Sequence, residues 1–410
     1  MSTGPINVVD LFAGCGGFTQ GFHEFIPDSA ERSPFRSVAA VELDVAAATT
    51  YAANCMSELD GDRPDIWADT IETWHPAEHL NGDVEVILGG PPCQGFSGLG
   101  KEDPDDPRNK LWRQYMRVVK AIKPKVFVIE NVDRFLRSPE YAALSDATTD
   151  RVGAELRDYE LKTKVLNAAD YGVPQRRRRV IAIATHRDLK AIDHPAPTHA
   201  KPWKDSRTPR QATALFEAPP EGREPWVPVE KILDLRQATR PTTGTELPER
   251  ETSDVTGKPI SGAYRTRELH IGRNPTAVSL ARYDAIGPGG NRHDLRGQYR
   301  TINGELVYLS TDSWDRHNTG SGDVMGRLRR GEPAVTIRTE FYKPEKGRYL
   351  HPTKNRPLTH LEAALIQGFP IDYQWCGTKV QIARQIGNAV PVGLASAIAE
   401  VIYERLRSDG

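Results

Sequence analysis

The chain is poor in cysteine, and its four cysteines (Cys15, Cys55, Cys93, Cys376) form no Cys-x-x-Cys pair. That spacing argues against a structural zinc site and a disulfide framework, and favours a reducing cytosol. Long apolar runs are missing too. No stretch reaches the roughly 18 residues of a spanning helix, and residues 1–10 carry no signal-peptide pattern. The expectation is a cytoplasmic protein without membrane contact. Charge of one sign is also lacking: 54 Lys and Arg face 55 Asp and Glu, a formal net charge of -1. Contact with a polyanion must therefore rest on local clusters. No internal repeat is visible. The 410 residues suffice for one large domain and a smaller second one.

What is present centres on Gly89-Gly90-Pro91-Pro92-Cys93-Gln94-Gly95-Phe96-Ser97. The apolar run Val84 to Leu88 before it predicts a buried strand, so Cys93 stands just past a strand's carboxyl end. Open α/β sheets bind their ligands there. The prolines stiffen the approach and the glycines leave the backbone close to whatever binds. A lone cysteine in a cytosolic protein is more often a small buried hydrophobe. Its rigid surroundings suggest a nucleophile, once its thiol pKa is lowered.

The chain opens in the same style. Ile6 to Phe12 predicts a first strand, Ala13-Gly14-Cys15-Gly16-Gly17 a tight loop, and Phe18 onward a helix. Strand, glycine turn and helix form the nucleotide-binding start of a doubly wound fold. A second strand, Ser37 to Val41, leads to Glu42-Leu43-Asp44, where a carboxylate can accept from ribose hydroxyls or simply face solvent. Lys101 to Asn109 is polar and proline-rich and reads as a mobile loop. Leu111, Tyr115, Val118, Val119 and Ile122 then fall at helical spacing and read as core. Val126 to Ile129 is a further strand, ending in Glu130-Asn131-Val132. Glu130 thus reaches the sheet edge that carries Cys93, as a general acid, a hydrogen-bond partner or an ordinary polar strand end. Gln175-Arg176-Arg177-Arg178-Arg179 precedes the apolar strand Val180 to Ala184. On an extended segment Arg177 and Arg179 share one face, and Arg176 and Arg178 the other.

Residues 186–230 are rich in proline and charge and read as a linker. Residues 231–350 hold short mixed segments, with strand-like runs at Glu305 to Leu309 and Ala334 to Thr339. Basic and aromatic residues interleave at 292–300, 327–330 and 338–348, a composition that suits either phosphates or a solvated surface. Arg356-Pro357-Leu358-Thr359 opens a helix through Glu362 to Gln367. Gln385-Ile386-Gly387-Asn388-Ala389-Val390-Pro391 reads as a turn before a last helix, whose apolar face is Leu394, Ile398, Val401 and Ile402.

These motifs, in this order, resemble the cytosine-C5 DNA methyltransferase family over roughly residues 5–185 and 353–405. The resemblance implies an α/β, Rossmann-like, S-adenosylmethionine-dependent sheet made of residues 1–189 and 353–410. A smaller, mostly β target-recognition domain would span 190–352. It implies that Asp10, Phe12, Ala13, Gly14, Gly16 and Gly17 surround S-adenosylmethionine. Phe12 would pack on the adenine, Glu42 bind the ribose and Asp69 meet the adenine amino group. Leu111, Asn388 and Val390 would complete that site. Leu43 departs from members that carry an aromatic there, which implies altered affinity, not loss.

For catalysis the resemblance implies Cys93 as nucleophile behind Pro92, with Glu130, Arg177 and Arg179 facing the substrate and Arg179 at the cytosine O2. No metal is implied. The partner is double-stranded DNA carrying a specific sequence. The chain would be a monomeric prokaryotic modification enzyme, with a companion restriction endonuclease acting separately. The RNA-directed branch has a compact middle, unlike this chain. A catalytically dead binding module is opposed by the intact Cys93, Glu130 and Arg179.

Overall fold

The computed structural model describes residues 4–55, 64–92, 111–202, 222–316 and 322–408. Cys93 and the loop expected at 101–109 lie outside the described residues.

Seven strands form one sheet: β1 (Ile6–Leu11), β2 (Phe35–Val41), β3 (Asp65–Trp67), β4 (Val86–Gly89), β5 (Val126–Asn131), β6 (Tyr159–Asn167) and β7 (Arg178–His186). Their spatial order is β3-β2-β1-β4-β5-β7-β6. Pairings from β3 to β5 are parallel, while β7 runs antiparallel to both neighbours. Central strands are mostly apolar because both faces are covered. Side-chain alternation splits them between two cores. Val8, Val86, Val128 and Ile183 face α1 (Gly17–Glu24) on one side. Val9, Ile87, Phe127 and Ala182 face the other side, with Tyr115, Val118 and Val119 of the helix Leu111–Ile122. The helical stripe expected there is thus core.

The sequence reading anticipated neither the three-residue strand β3 nor β6. Strand β6 is an edge strand with the alternating charges Glu160, Lys162 and Lys164, which blunt a free edge. The other strands run one to four residues beyond or short of their apolar runs, because polar ends such as Glu130-Asn131 and Arg178-Arg179 also pair.

The remaining helices that matter here are α2 (Val45–Cys55), α3 (Leu111–Ile122, above), α4 (Pro139–Ala147), α5 (Ala277–Ala285), α6 (His360–Ile366), α7 (Lys379–Asn388) and α8 (Val392–Ser408). The stretch expected as a turn at 385–391 is largely the last turn of α7, which starts on a Thr378–Gln381 capping box. The C-terminal stretch divides between two cores. Leu361, Ile366, Ile382 and Ile386 pack with Val229, Leu269, Leu328 and Ile337 of the middle segment. Leu394, Ile398 and Ile402 of α8 pack with Phe18 and Phe22 of α1 against the sheet.

The middle segment is irregular. Its β content consists of short ribbons such as Tyr299–Ile302 with Glu305–Tyr308, and helical turns alternate with them. Of the expected run Ala334 to Thr339, only Ala334–Val335 is strand. Three arginines from the basic clusters do not face outward. Arg292, Arg327 and Arg348 are buried. Arg327 donates to the carbonyls of Tyr283, Ile286, His351 and Lys354, and Arg348 to those of Gly289, Gly290 and Arg327. Irregular backbone leaves carbonyls unpaired, and a guanidinium with five donors can satisfy several at once.

The Arg-Pro-Leu-Thr motif has a similar structural use. Thr359 caps α6 and Glu362 returns the bond to Thr359 N–H. Glu362 is fully buried, and both its oxygens take hydrogen bonds from Arg356, at 2.6 and 2.8 Å. Burial alone would raise the Glu362 pKa, but Arg356 holds it below the ordinary carboxylate range. Removing one partner of such a pair strands the other charge. Arg356→Ala is expected to cost about 3–5 kcal/mol in urea unfolding. A loss under about 1 kcal/mol would mark the pair as an ordinary surface bridge.

Candidate active site

β1 passes into its loop through left-handed backbone at Phe12 (φ 57°), Gly14 (56°) and Gly16 (87°). The turn brings Gly14 N–H onto the Glu42 carboxylate at 2.8 Å, and Asp44 N–H binds its other oxygen at 2.8 Å. Glu42 is thereby fixed at the end of β2, with lone pairs left over for hydroxyl donors. Burial raises its pKa, and the two backbone amides work against the rise. Asp10 lies beneath the loop, buried, and accepts from Thr19 Oγ1 at 2.7 Å. Its pKa is pushed up to about 7 by burial, with the Thr19 bond opposing and the Glu42 charge adding.

Ala13 is buried, while Leu43 next to Glu42 is 67% exposed. An exposed aliphatic beside an anchored carboxylate suits the apolar face and the hydroxyls of a nucleoside. Asp69 is also exposed, with one oxygen taking Thr70 N–H at 2.7 Å. Phe12 and Leu111 are half-buried and pack against the same core, so Leu111 serves that core whatever else it touches. Among the described residues no side chain caps the amino end of α1 at Gly16. The C-terminal chain closes the site from the other side. A Cβ on Gly17 would stand 2.7 Å from the Val390 carbonyl, so only glycine admits that approach. Asn388, two residues earlier, has its side chain exposed. The glycine loop, Glu42, Leu43 and Asp69 fit an adenosine-containing cofactor by this chemistry.

The second half of the site follows from register. Leu11 pairs with Gly89, and Gly89 with Ile129. Phe12, Gly90 and Glu130 therefore stand at one level of the sheet edge, where the strand order reverses between β1 and β4. Because β7 is antiparallel, its amino end reaches this same edge. Asn131 pairs with Val180, which puts Arg179 one residue beyond. Arg179 Nε lies 2.7 Å from Glu130 Oε1, with side chains 15% and 11% exposed. That oxygen makes no aligned hydrogen bond among the described residues, so an acceptor direction remains open. A Cβ on Gly90 would stand 3.3 Å from Glu130 Oε2, and glycine keeps that side clear. Asn131, to which the sequence reading gave no role, donates to the Pro91 carbonyl at 2.9 Å. It ties the end of β5 to the Pro91-Pro92 stretch that leads to Cys93. Its only sequence signal was its place beside Glu130.

The four arginines alternate as the extended pattern requires. Arg176 and Arg178 are 38% and 66% exposed, with Glu332 and Asp133 as partners. Arg177 and Arg179 turn inward, but to different surroundings. Arg177 is 1% exposed, and its guanidinium donates to the carbonyls of Ile337, Gly387 and Asn388. Of the two, only Arg179 pairs with Glu130.

Three cysteines can be set aside as nucleophiles. Cys15, Cys55 and Cys376 are buried, and burial raises each thiol pKa, that of Cys376 to about 11. A buried thiol held neutral is inert. Among the described residues no group of three or more His, Cys, Asp or Glu could hold a metal ion.

A family model for C-5 cytosine-specific DNA methylase matches residues 6–404. The chain is 30% identical over 408 residues to the Type II methyltransferase M1.HphI of Haemophilus parahaemolyticus, covering 97% of this chain and 87% of that one. It is 31% identical over 420 residues to the Type II methyltransferase M.XorII of Xanthomonas oryzae, covering 99% and 86%. A solved protein described as a DNA modification methyltransferase encoded within an E. coli prophage shares the fold. The TM-score is 0.64 at 22% identity, over 98% of this chain and all of that one.

Proposed function

The chain belongs to the C-5 cytosine-specific DNA methylases and is a DNA (cytosine-5-)-methyltransferase; from that premise we propose that it methylates C5 of a cytosine flipped out of a specific sequence in duplex DNA, with S-adenosylmethionine as donor and through a Cys93–C6 bond. The observation that carries the catalytic part is the Glu130–Arg179 pair, set at the sheet edge from which Pro91-Pro92 leads to Cys93.

Cytosine C5 is a poor nucleophile. Attack of the Cys93 thiolate on C6 pushes electron density toward C5, and charge gathers on N3 and O2. Glu130 supplies a proton or hydrogen bond to N3, and the Arg179 guanidinium stabilises O2. S-adenosylmethionine, when bound, supplies an electrophilic methyl group and leaves as S-adenosylhomocysteine. Loss of the C5 proton and expulsion of Cys93 then restore the aromatic ring. Glu42 holds the ribose, Phe12 and Leu43 cover the adenine, Asp69 meets its amino group, and Asn388 and Val390 lie at the methionine end. Arg177 acts as a positioning residue. Flipping the base costs roughly a few kcal/mol of stacking and pairing, which phosphate contacts must offset.

Residues 190–352 are read as the target-recognition domain, and 1–189 with 353–410 as the catalytic one. The relatives' names favour a modification enzyme of the restriction-modification kind; the reading adds a cytoplasmic monomer that acts beside a separate endonuclease. Incubation with methyl-labelled S-adenosylmethionine tests the reading. Label is expected in duplex DNA and not in transfer RNA. Label in transfer RNA alone, or in neither, would overturn it.

A further inference from the structure

Three stretches distant in sequence meet at one buried polar junction. Gln175-Arg176 pairs in parallel with Ala334-Val335 of the middle segment. Gln175 Oε1 accepts from Ile337 N–H at 2.7 Å, and its Nε2 donates to Gln367 Oε1 at 2.8 Å. Gln367 Nε2 donates to the Ile386 carbonyl in α7 at 2.5 Å. Arg177 spans the same gap: Nη1 donates to the Ile337 carbonyl at 2.8 Å and Nη2 to the Gly387 carbonyl at 3.0 Å. Gln175, Arg177 and Gln367 are at most 1% exposed. A Cβ on Gly387 would lie 2.4 Å from Thr339 N, so the end of α7 rests directly on the middle segment's backbone.

From this junction the chain leads both ways into the active site. Three residues past Gly387 is Val390, whose carbonyl lies against Gly17 of the glycine loop. Two residues past Arg177 is Arg179, at Glu130. Apolar packing would hold these segments together at least as firmly, because burying a guanidinium costs desolvation. What hydrogen bonds add is fixed registry. Residues 334–339 cannot shift along 175–177 without breaking bonds to the same side chains that hold 386–388.

We propose that Gln175, Arg177 and Gln367 are positioning residues that couple the middle segment to the cofactor loop, so that bound DNA and bound cofactor each raise the affinity for the other. The proposal rests on the reading above that the ligands are duplex DNA and S-adenosylmethionine. Such coupling is reciprocal and is typically worth fivefold or more in affinity.

The test uses the full chain, S-adenosylhomocysteine as probe, and a duplex whose site has been mapped by bisulfite sequencing. Wild type is expected to bind the probe about fivefold or more tightly when DNA is present. In Arg177→Lys, which keeps the charge but loses the fork, that ratio should fall to near one. Gln175→Glu, which loses the donor to Gln367, should act alike and serves if Arg177→Lys does not fold. Leu144→Ala, a core cut in α4, gives a variant of lowered melting temperature that should keep the ratio. A ratio of one in wild type would end the proposal. So would an unchanged ratio in the folded junction variants, or an equal loss in Leu144→Ala. No probe binding by wild type, with or without DNA, would instead sink the cofactor reading and the coupling with it.

Discussion

Cys93→Ser is expected to abolish methyl transfer while leaving S-adenosylmethionine and DNA binding intact. A hydroxyl is far less acidic than a thiol and yields almost no anion at neutral pH, so the attack on C6 has no nucleophile. The loss should be on the order of ten-thousandfold or more, the scale seen when a nucleophile is removed from an enzyme. A covalent test is sharper. In duplex containing 5-fluorocytosine the C5 position bears fluorine in place of the departing proton, so the final elimination stalls and the enzyme stays attached. Wild type should be trapped in a denaturant-resistant complex, and peptide mapping should place the bond on Cys93. Cys93→Ser should not be trapped. The other thiols offer no alternative: Cys15, Cys55 and Cys376 are buried and held neutral. An adduct on any of those three, or a trapped Cys93→Ser complex, would remove Cys93 from the mechanism.

The parts of this structure that the sequence made legible are those where one local pattern has one physical outcome. Val126 to Ile129 and Val180 to Ala184 are continuous apolar runs, and such runs are buried central strands. The glycine loop was legible because glycine adopts the left-handed backbone found at Gly14 and Gly16 without the steric cost that a side chain brings. The split of the arginine run into two faces followed from the period of an extended chain. Legibility failed where different environments select the same residue. Arg327 and Arg348 sit among glycines and aromatics, as a phosphate contact would, yet they bind backbone carbonyls in the interior. Nothing in the local sequence separates a guanidinium that serves an irregular loop from one that serves a phosphate. Residues 385–388 carry Gly387 and Asn388, which signal a break, whereas here glycine marks the close approach of α7 to residues 338–339. The capping signal at Thr378 and Gln381 was available and outweighs it. Strand β6 is masked by its charges, because an edge strand needs only one buried side.

Arg179→Ala is expected to lower the methylation rate by about a hundredfold or more, as loss of an oxyanion-type donor does. The geometry gives the reason. Arg179 Nε stands 2.7 Å from Glu130 Oε1, with both side chains largely buried at the sheet edge, so on the proposed mechanism one substitution would remove the cation at O2 and leave the carboxylate assigned to N3 without its partner. Both effects fall on the charge that develops as Cys93 attacks, not on the ground state. DNA affinity should therefore change little, and kcat should carry the loss. Arg178 is the internal control. It is two-thirds exposed and pairs with Asp133 at 2.9 Å, on the opposite side of the same strand. A surface pair of this kind contributes about 0–1 kcal/mol. Arg178→Ala should thus show at most a small rate defect. If Arg178 instead touches a backbone phosphate, its loss would weaken binding on every sequence and lower the salt slope by about one. The measurements that separate these roles are single-turnover rates and DNA affinity as a function of salt for both variants. Equal rate losses at positions 178 and 179, or a loss at 179 confined to affinity and its salt slope, would make the arginine run a phosphate-binding surface. Arg179 would then have no part in the chemistry at O2.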